Sequence, residues 1–149
     1  MKSIYQEVNN LGPATRQAGD NNACTVYSFA ACFRVPYDIA YEYAAKKWKR
    51  IKGRGVTTRN IMSTFGTTPQ TAKEVFGKLV QMVEATQGYK QPSGAVIERQ
   101  MTLSTFCKNY PTGTYYVLVD RHALAIIDGE VIDHTDKPKR RIKQAWQIV

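Results

Sequence analysis

Asp128-Gly129, set between two apolar runs, constrains the fold of this chain more than any other feature. Asp-Gly suits the two central positions of a type I′ turn, where both residues take a positive φ and the flanking strands pair antiparallel. His122–Ile127 therefore reads as one strand and Glu130–Asp133 as the next. Upstream, Thr114-Tyr115-Tyr116-Val117-Leu118-Val119 is rich in β-branched and aromatic residues and is a further strand. Ile142, Trp146 and Ile148 mark a closing one.

The turn also sets a register. Ile127 then faces Glu130, and Leu124 faces Asp133. Alternation places His122, Leu124, Ile126, Val131, Asp133 and Thr135 on one face. Asp133 sits diagonally across from His122, within side-chain reach. Asp128 belongs to the turn, where its type is common. His134 alternates to the opposite face, outside any site built on His122. A slip of one residue would reverse that choice.

The first half of the chain reads as helical. Val26, Phe29, Ala30 and Phe33 recur at i, i+3, i+4 and i+7 and predict a helix over 24–34 with that stripe buried, ended by Pro36. A second helix over 37–51 presents Tyr37, Ala40, Tyr41, Ala44, Trp48 and Ile51, with Glu42 and Lys46 as an i,i+4 pair on its other side. A short helix over 57–65 uses Ile61, Met62 and Phe65. Thr68 as N-cap and Pro69 at the first position open another. Residues 70–86 admit two readings: Ala72, Phe76, Leu79, Val80 and Val83 suit a helix, whereas Gly77 weakens it and Lys78–Val83 could be a strand. Residues 87–94 form a loop and residues 1–22 an irregular lead-in. Thr102 caps a short helix containing Leu103, Phe106 and Cys107. Helices first and an antiparallel sheet after them make an α+β class. A length of 149 residues with 43% hydrophobic content suits one domain over 1–149 with one sizeable core.

Cys24 stands at the point where the polar run Asn21-Asn22-Ala23 gives way to the first strongly apolar helix. Unpaired N–H groups and the positive end of the helix dipole favour thiolate there. Cys32 and Cys107 lie inside apolar helical patterns and read as small buried hydrophobes. A thiol on an early helix, His122 on a late strand and Asp133 on the next are the parts of a nucleophile, a base and an orienting acid. Three cysteines, an odd number without zinc-like spacing, argue against a disulfide scaffold, and two histidines without a ligand cluster argue against zinc. No metal or cofactor is expected.

No apolar run is long enough to span a bilayer, and the N-terminus lacks the apolar stretch of a signal peptide, so a cytoplasmic location is expected. The net charge of +9 concentrates in Lys46–Arg54 and Lys137–Lys143. Such clusters attract nucleic acid or acidic partners, weakly and without sequence preference when charge alone acts. Trp48 falls on the buried stripe of its helix, so base stacking has little support.

In order and spacing, several stretches resemble a group of small bacteriophage-encoded papain-like cysteine peptidases, distantly similar to bacteriocin-processing peptidases. They are Cys24-Thr25-Val26-Tyr27-Ser28-Phe29-Ala30, Val35-Pro36-Tyr37-Asp38, Gly53 or Gly55, Leu103–Phe106, Tyr110-Pro111-Thr112-Gly113-Thr114-Tyr115 and His122–Asp133. The resemblance covers residues 20–66 and 102–149 and leaves the middle uncovered. It departs at Asn22-Ala23, where the group carries an acid before the Cys, and at Tyr27, where it commonly has Arg. It implies a papain-like fold, a Cys24-His122-Asp133 set and the cytoplasm of a bacterial host, and little about the substrate; cleavage of an amide or isopeptide bond of a protein or peptide is the expectation drawn from the thiol chemistry. Papain-like enzymes draw an oxyanion donor from a Gln shortly upstream. Gln17 is that candidate, one residue further from the Cys than in papain, with Asn21 or Asn22 as replacements beside the Cys24 N–H. Two other classes compete: a basic nucleic-acid-binding module, whose binding survives loss of Cys24, and an inactive papain-like protein that binds a host protein, whose Cys24 is no more reactive than Cys107.

Overall fold

A computed structural model describes residues 1–149. It contains five α-helices: α1 (Ile4–Asn9), α2 (Cys24–Phe33), α3 (Tyr37–Lys47), α4 (Thr58–Phe65) and α5 (Leu103–Asn109). Nine strands accompany them: β1 (Lys2–Ser3), β2 (Ala72–Val75), β3 (Lys78–Met82), β4 (Thr86–Lys90), β5 (Val96–Gln100), β6 (Thr114–Val119), β7 (His122–Ile127), β8 (Glu130–Asp133) and β9 (Ile142–Ile148). Seven form one sheet in the order β1-β8-β7-β6-β9-β3-β2, antiparallel except for the parallel β1–β8 edge. β4 and β5 pair only with each other. The class is α+β with a mostly antiparallel sheet. No helix is long and apolar enough to cross a membrane.

The Asp128-Gly129 turn forms as its chemistry requires. Both residues have positive φ, 49° and 74°, and Ile127 pairs with Glu130. Gly129 is needed for space as well, because a Cβ there would lie 3.3 Å from the Pro111 carbonyl oxygen. Asp128 Oδ1 accepts the Gly113 N–H at 2.9 Å, tying the hairpin to the turn before β6.

The sheet has a buried face on each side. α2 packs against β6 and β7 and shares one core with Tyr116, Leu118, Ala123, Ala125, Ile132 and Trp146. On the other face Leu103 and Phe106 of α5 join Val117, Val119, Leu124, Ile126 and Ile142. Every α2 residue after Cys24 is buried, because α1 and α3 cover the sides that the sheet leaves open. The single stripe read from periodicity therefore understates its burial.

The structure departs from the sequence reading in four places. The lead-in contains β1 and α1: Ser3 caps the helix through Gln6 N–H, and Ile4 and Val8, one turn apart, are buried. α3 stops at Lys47 rather than 51. Trp48 turns its indole N–H to Thr64 Oγ1 at 2.8 Å, Lys49 takes a left-handed φ of 56°, and Arg50 points inward. Thr68-Pro69 starts no helix; β2 and β3 form a hairpin there, turning at Phe76-Gly77 with φ of 51° and 78°. Finally, the expected loop contains β4, paired to β5. All of β5 is exposed and no β4 residue is fully buried, so no apolar alternation marks the pair in the sequence.

Candidate functional site

α2 opens at Cys24 with no side-chain cap, since Ala23 precedes it. The His122 ring and the N–H groups of Ala123, at the start of β7, and Thr25, in the first turn, stand close enough to the sulfur to stabilise its thiolate. Burial raises the thiol pKa; the His122 hydrogen bond, the Ala123 N–H, the His122 charge and the Thr25 N–H together outweigh it, and the net shift is downward. Burial alone pushes Cys32 far up and also raises Cys107. The three thiols are therefore chemically unlike each other.

Asp120-Arg121, with Arg121 at φ 56°, is the tight turn that starts β7 at His122. The register read from the sequence holds, and His122 Nε2 lies 2.7 Å from Asp133 Oδ1. That leaves Nδ1 for the thiol. α2 lies over the face that carries Ala123 and Ala125, whereas alternation groups His122 with Leu124 on the other. Cys24 and His122 meet because His122 is the first residue of its strand, at the rim where the two faces join. Burial lowers the His122 pKa, but the Asp133 hydrogen bond, the Cys24 hydrogen bond and both their charges raise it from 6.5 to about 9. Burial raises Asp133; the hydrogen bonds from His122 and the His134 N–H and the charges of both imidazoles hold it below the usual carboxylate range. The opposed shifts of Cys24, downward, and His122, upward, move the pair toward thiolate and imidazolium.

His134 does not lie on the far face. β8 ends at Asp133, so strand alternation stops one residue short of it. Its backbone N–H donates to Asp133 Oδ1 at 2.8 Å and its Nδ1 lies 3.1 Å from the same oxygen. The two histidines, taken from the sequence as forming no ligand cluster, thus converge with Asp133 on one point.

A cleft of about 580 Å³ opens over these groups, with Cys24, His122, His134, Asn22, Tyr5 and Arg121 in its wall. Asn22 has a left-handed φ of 57°, and its Nδ2 donates to the Gly53 carbonyl at 3.1 Å. Asn21 contributes a backbone carbonyl to Arg50. Gln17 is placed elsewhere, on a 3-10 turn with its amide donating to Asn9 Oδ1 at 2.9 Å, and it does not border the cleft.

The segment before Cys24 is held from beneath. Arg50 Nη1 and Nη2 form a two-point pair with Asp20 at 3.0 and 2.7 Å, with both side chains almost wholly buried. Tyr37 Oη and the Gly53 N–H also donate to Asp20, and Arg50 Nη2 reaches the carbonyls of Asn21 and Asn22. In the sequence Asp20 falls in the irregular lead-in and Arg50 in the basic cluster Lys46–Arg54. No local pattern signals their pairing across 30 residues. The second basic cluster is also partly engaged, through Arg140 on the Asp120 carbonyl and Arg141 on the Gln100 carbonyl. Tyr5, stacked edge-on against Tyr27, enters the cleft from a helix that the sequence did not disclose.

No family model, no curated protein and no solved structure matches this chain.

Proposed function

We propose that the protein is a papain-like thiol hydrolase that cleaves an amide or isopeptide bond of a protein or peptide. One observation carries the reading: Cys24 and His122 border one open cleft, and His122 Nε2 lies 2.7 Å from the buried Asp133 carboxylate behind it. Helices that precede a mostly antiparallel sheet, with the thiol at the start of the buried central helix, support the papain-like arrangement. So does the resemblance to the phage-encoded group.

In this mechanism Cys24 Sγ attacks the carbonyl carbon. The oxygen that gains charge lies toward the Cys24 N–H and the Asn22 amide. His122 gives its proton to the departing amine as the C–N bond breaks, leaving a thioester on Cys24. Water then attacks the thioester, His122 accepts its proton, and the acid and the free thiol are released. Asp133 fixes the ring and stabilises its cationic form. Asn22 rather than Gln17 serves the oxyanion, because only Asn22 borders the cleft. Digesting a diverse peptide library with the wild type, Asn22→Ala, Gln17→Ala and Cys24→Ser tests the scheme. Cleavage should vanish in Cys24→Ser, fall about 100- to 1,000-fold in Asn22→Ala and persist in Gln17→Ala. Cleavage that survives in Cys24→Ser would refute it.

A further inference from the structure

His122 Nε2, Asp133 Oδ1 and His134 Nδ1 lie within 4.8 Å of one another, and both ring nitrogens point at the same carboxylate oxygen, at 2.7 and 3.1 Å. Both contacts are hydrogen bonds, and the same oxygen also accepts the His134 backbone N–H at 2.8 Å. Separations of 2.7 and 3.1 Å between potential donor atoms are also the spacing of adjacent ligands around a small transition-metal ion. Two donors each about 2.0–2.2 Å from such an ion, at a right or tetrahedral angle, are roughly 3 Å apart.

We infer that His122, Asp133 and His134 form a binding site for a divalent transition-metal ion, with Zn²⁺ as the best-suited candidate. The donor set is two imidazoles and a carboxylate, a chemistry that zinc accepts readily and that calcium or magnesium, which prefer oxygen ligands, does not. Asp133 is buried and its backbone neighbours hold it, so the anionic ligand is fixed before an ion arrives. His134 is 41% exposed and, with His122, borders the cleft, which gives an ion a path in and leaves one coordination position for water. The two rings pack T-shaped with centroids 4.9 Å apart, so their nitrogens stay close to the one carboxylate.

A coordinating nitrogen carries no proton, so on each ring the proton that faces Asp133 gives way to the ion. Cys24 is not a ligand. It faces the opposite nitrogen of the His122 ring, so the ion and the thiol occupy different sides of one imidazole. An ion on Nε2 fixes the remaining proton of the ring on Nδ1 and removes its capacity to act as a base toward the thiol. The site is thus a metal-operated brake on whatever chemistry Cys24 performs, and its existence does not depend on the hydrolase reading.

Titration calorimetry of the full chain with Zn²⁺ alone tests the inference directly. One saturable ion per chain is expected in the wild type and, unchanged, in Cys24→Ser. Affinity should fall at least roughly tenfold in His134→Gln, since even groups behind a ligand typically cost that much. The exposed position of His134 leaves the fold of that variant intact, which circular dichroism verifies. Co²⁺ bound in place of Zn²⁺ should give visible d–d bands without a thiolate charge-transfer band. Absence of saturable binding, equal affinity in His134→Gln, or loss of binding in Cys24→Ser would overturn the inference.

Discussion

Asp133→Asn separates the charge of the acid from its shape. The amide oxygen of the replacement still accepts the His122 Nε2–H, so the ring keeps its orientation while the anion 2.7 Å away is gone. His122 stands at about 9 against an ordinary 6.5, and Asp133 is foremost among the groups that hold it up. A carboxylate at this distance, screened in part by water in the cleft, contributes about one to two pH units, or about 1–3 kcal/mol of imidazolium stabilisation. The assay is the rate of iodoacetamide attack on Cys24 as a function of pH, read by mass spectrometry. In the wild type the thiolate–imidazolium pair gives a plateau that ends as His122 loses its proton near 9. In Asp133→Asn that upper inflection should fall by about one to two pH units, whereas Asp128→Asn, in the turn, should leave it in place. An upper inflection that stays near 9 in Asp133→Asn would refute the electrostatic role given to Asp133.

Other outcomes follow from the same contacts. In the wild type at pH 6 to 7, Cys24 should alkylate well ahead of Cys32 and Cys107, whose thiols burial pushes up; equal labelling in the folded protein would count against the lowered Cys24 pKa. Arg50→Met leaves Asp20 buried without its cation, and urea unfolding should show a loss of about 3–5 kcal/mol, with Tyr37 and Gly53 still bonded to the carboxylate. In a Cys24→Ser background the opposing contribution of the thiol is absent. Asp133 still holds the His122 pKa up there, although without Cys24 it stands lower than in the wild type, so the native state holds more protons than the unfolded one just above 6.5 and the melting temperature should fall as the pH rises through that range; a flat or rising profile would contradict it. DNA and RNA should bind weakly and without sequence preference, and the binding should fade steeply between low and moderate salt; tight, sequence-selective binding at high salt would favour a nucleic-acid role.

The parts of this protein that were legible in its sequence are those set by local chemistry. Asp128-Gly129 fixes a turn type, the turn type fixes a register, and the register brings Asp133 to His122. The polar-to-apolar step at Asn22-Ala23-Cys24 marks the start of α2 for equally local reasons. What stayed hidden depends on contacts distant in sequence or on the absence of a buried face. Asp20 and Arg50 look like a turn residue and a surface cation until the fold pairs them. β4 and β5 bury no face, so periodicity is silent about them. His134 was misplaced because alternation holds only within a strand, and β8 ends at the preceding residue. Gln17 was chosen by its distance along the chain from Cys24, yet its amide is directed at Asn9. Asn22, with its left-handed backbone, stands in the cleft.

The central claim is that Cys24 is a nucleophile served by His122. Rapid acid quenching during cleavage of a peptide selected from the library, followed by intact-mass analysis and peptide mapping, tests it most directly. The account predicts an acyl thioester on Cys24 that forms and decays in the wild type and is absent in Cys24→Ser and His122→Ala. Cleavage without any adduct on Cys24, or an adduct that forms equally fast in His122→Ala, would contradict it.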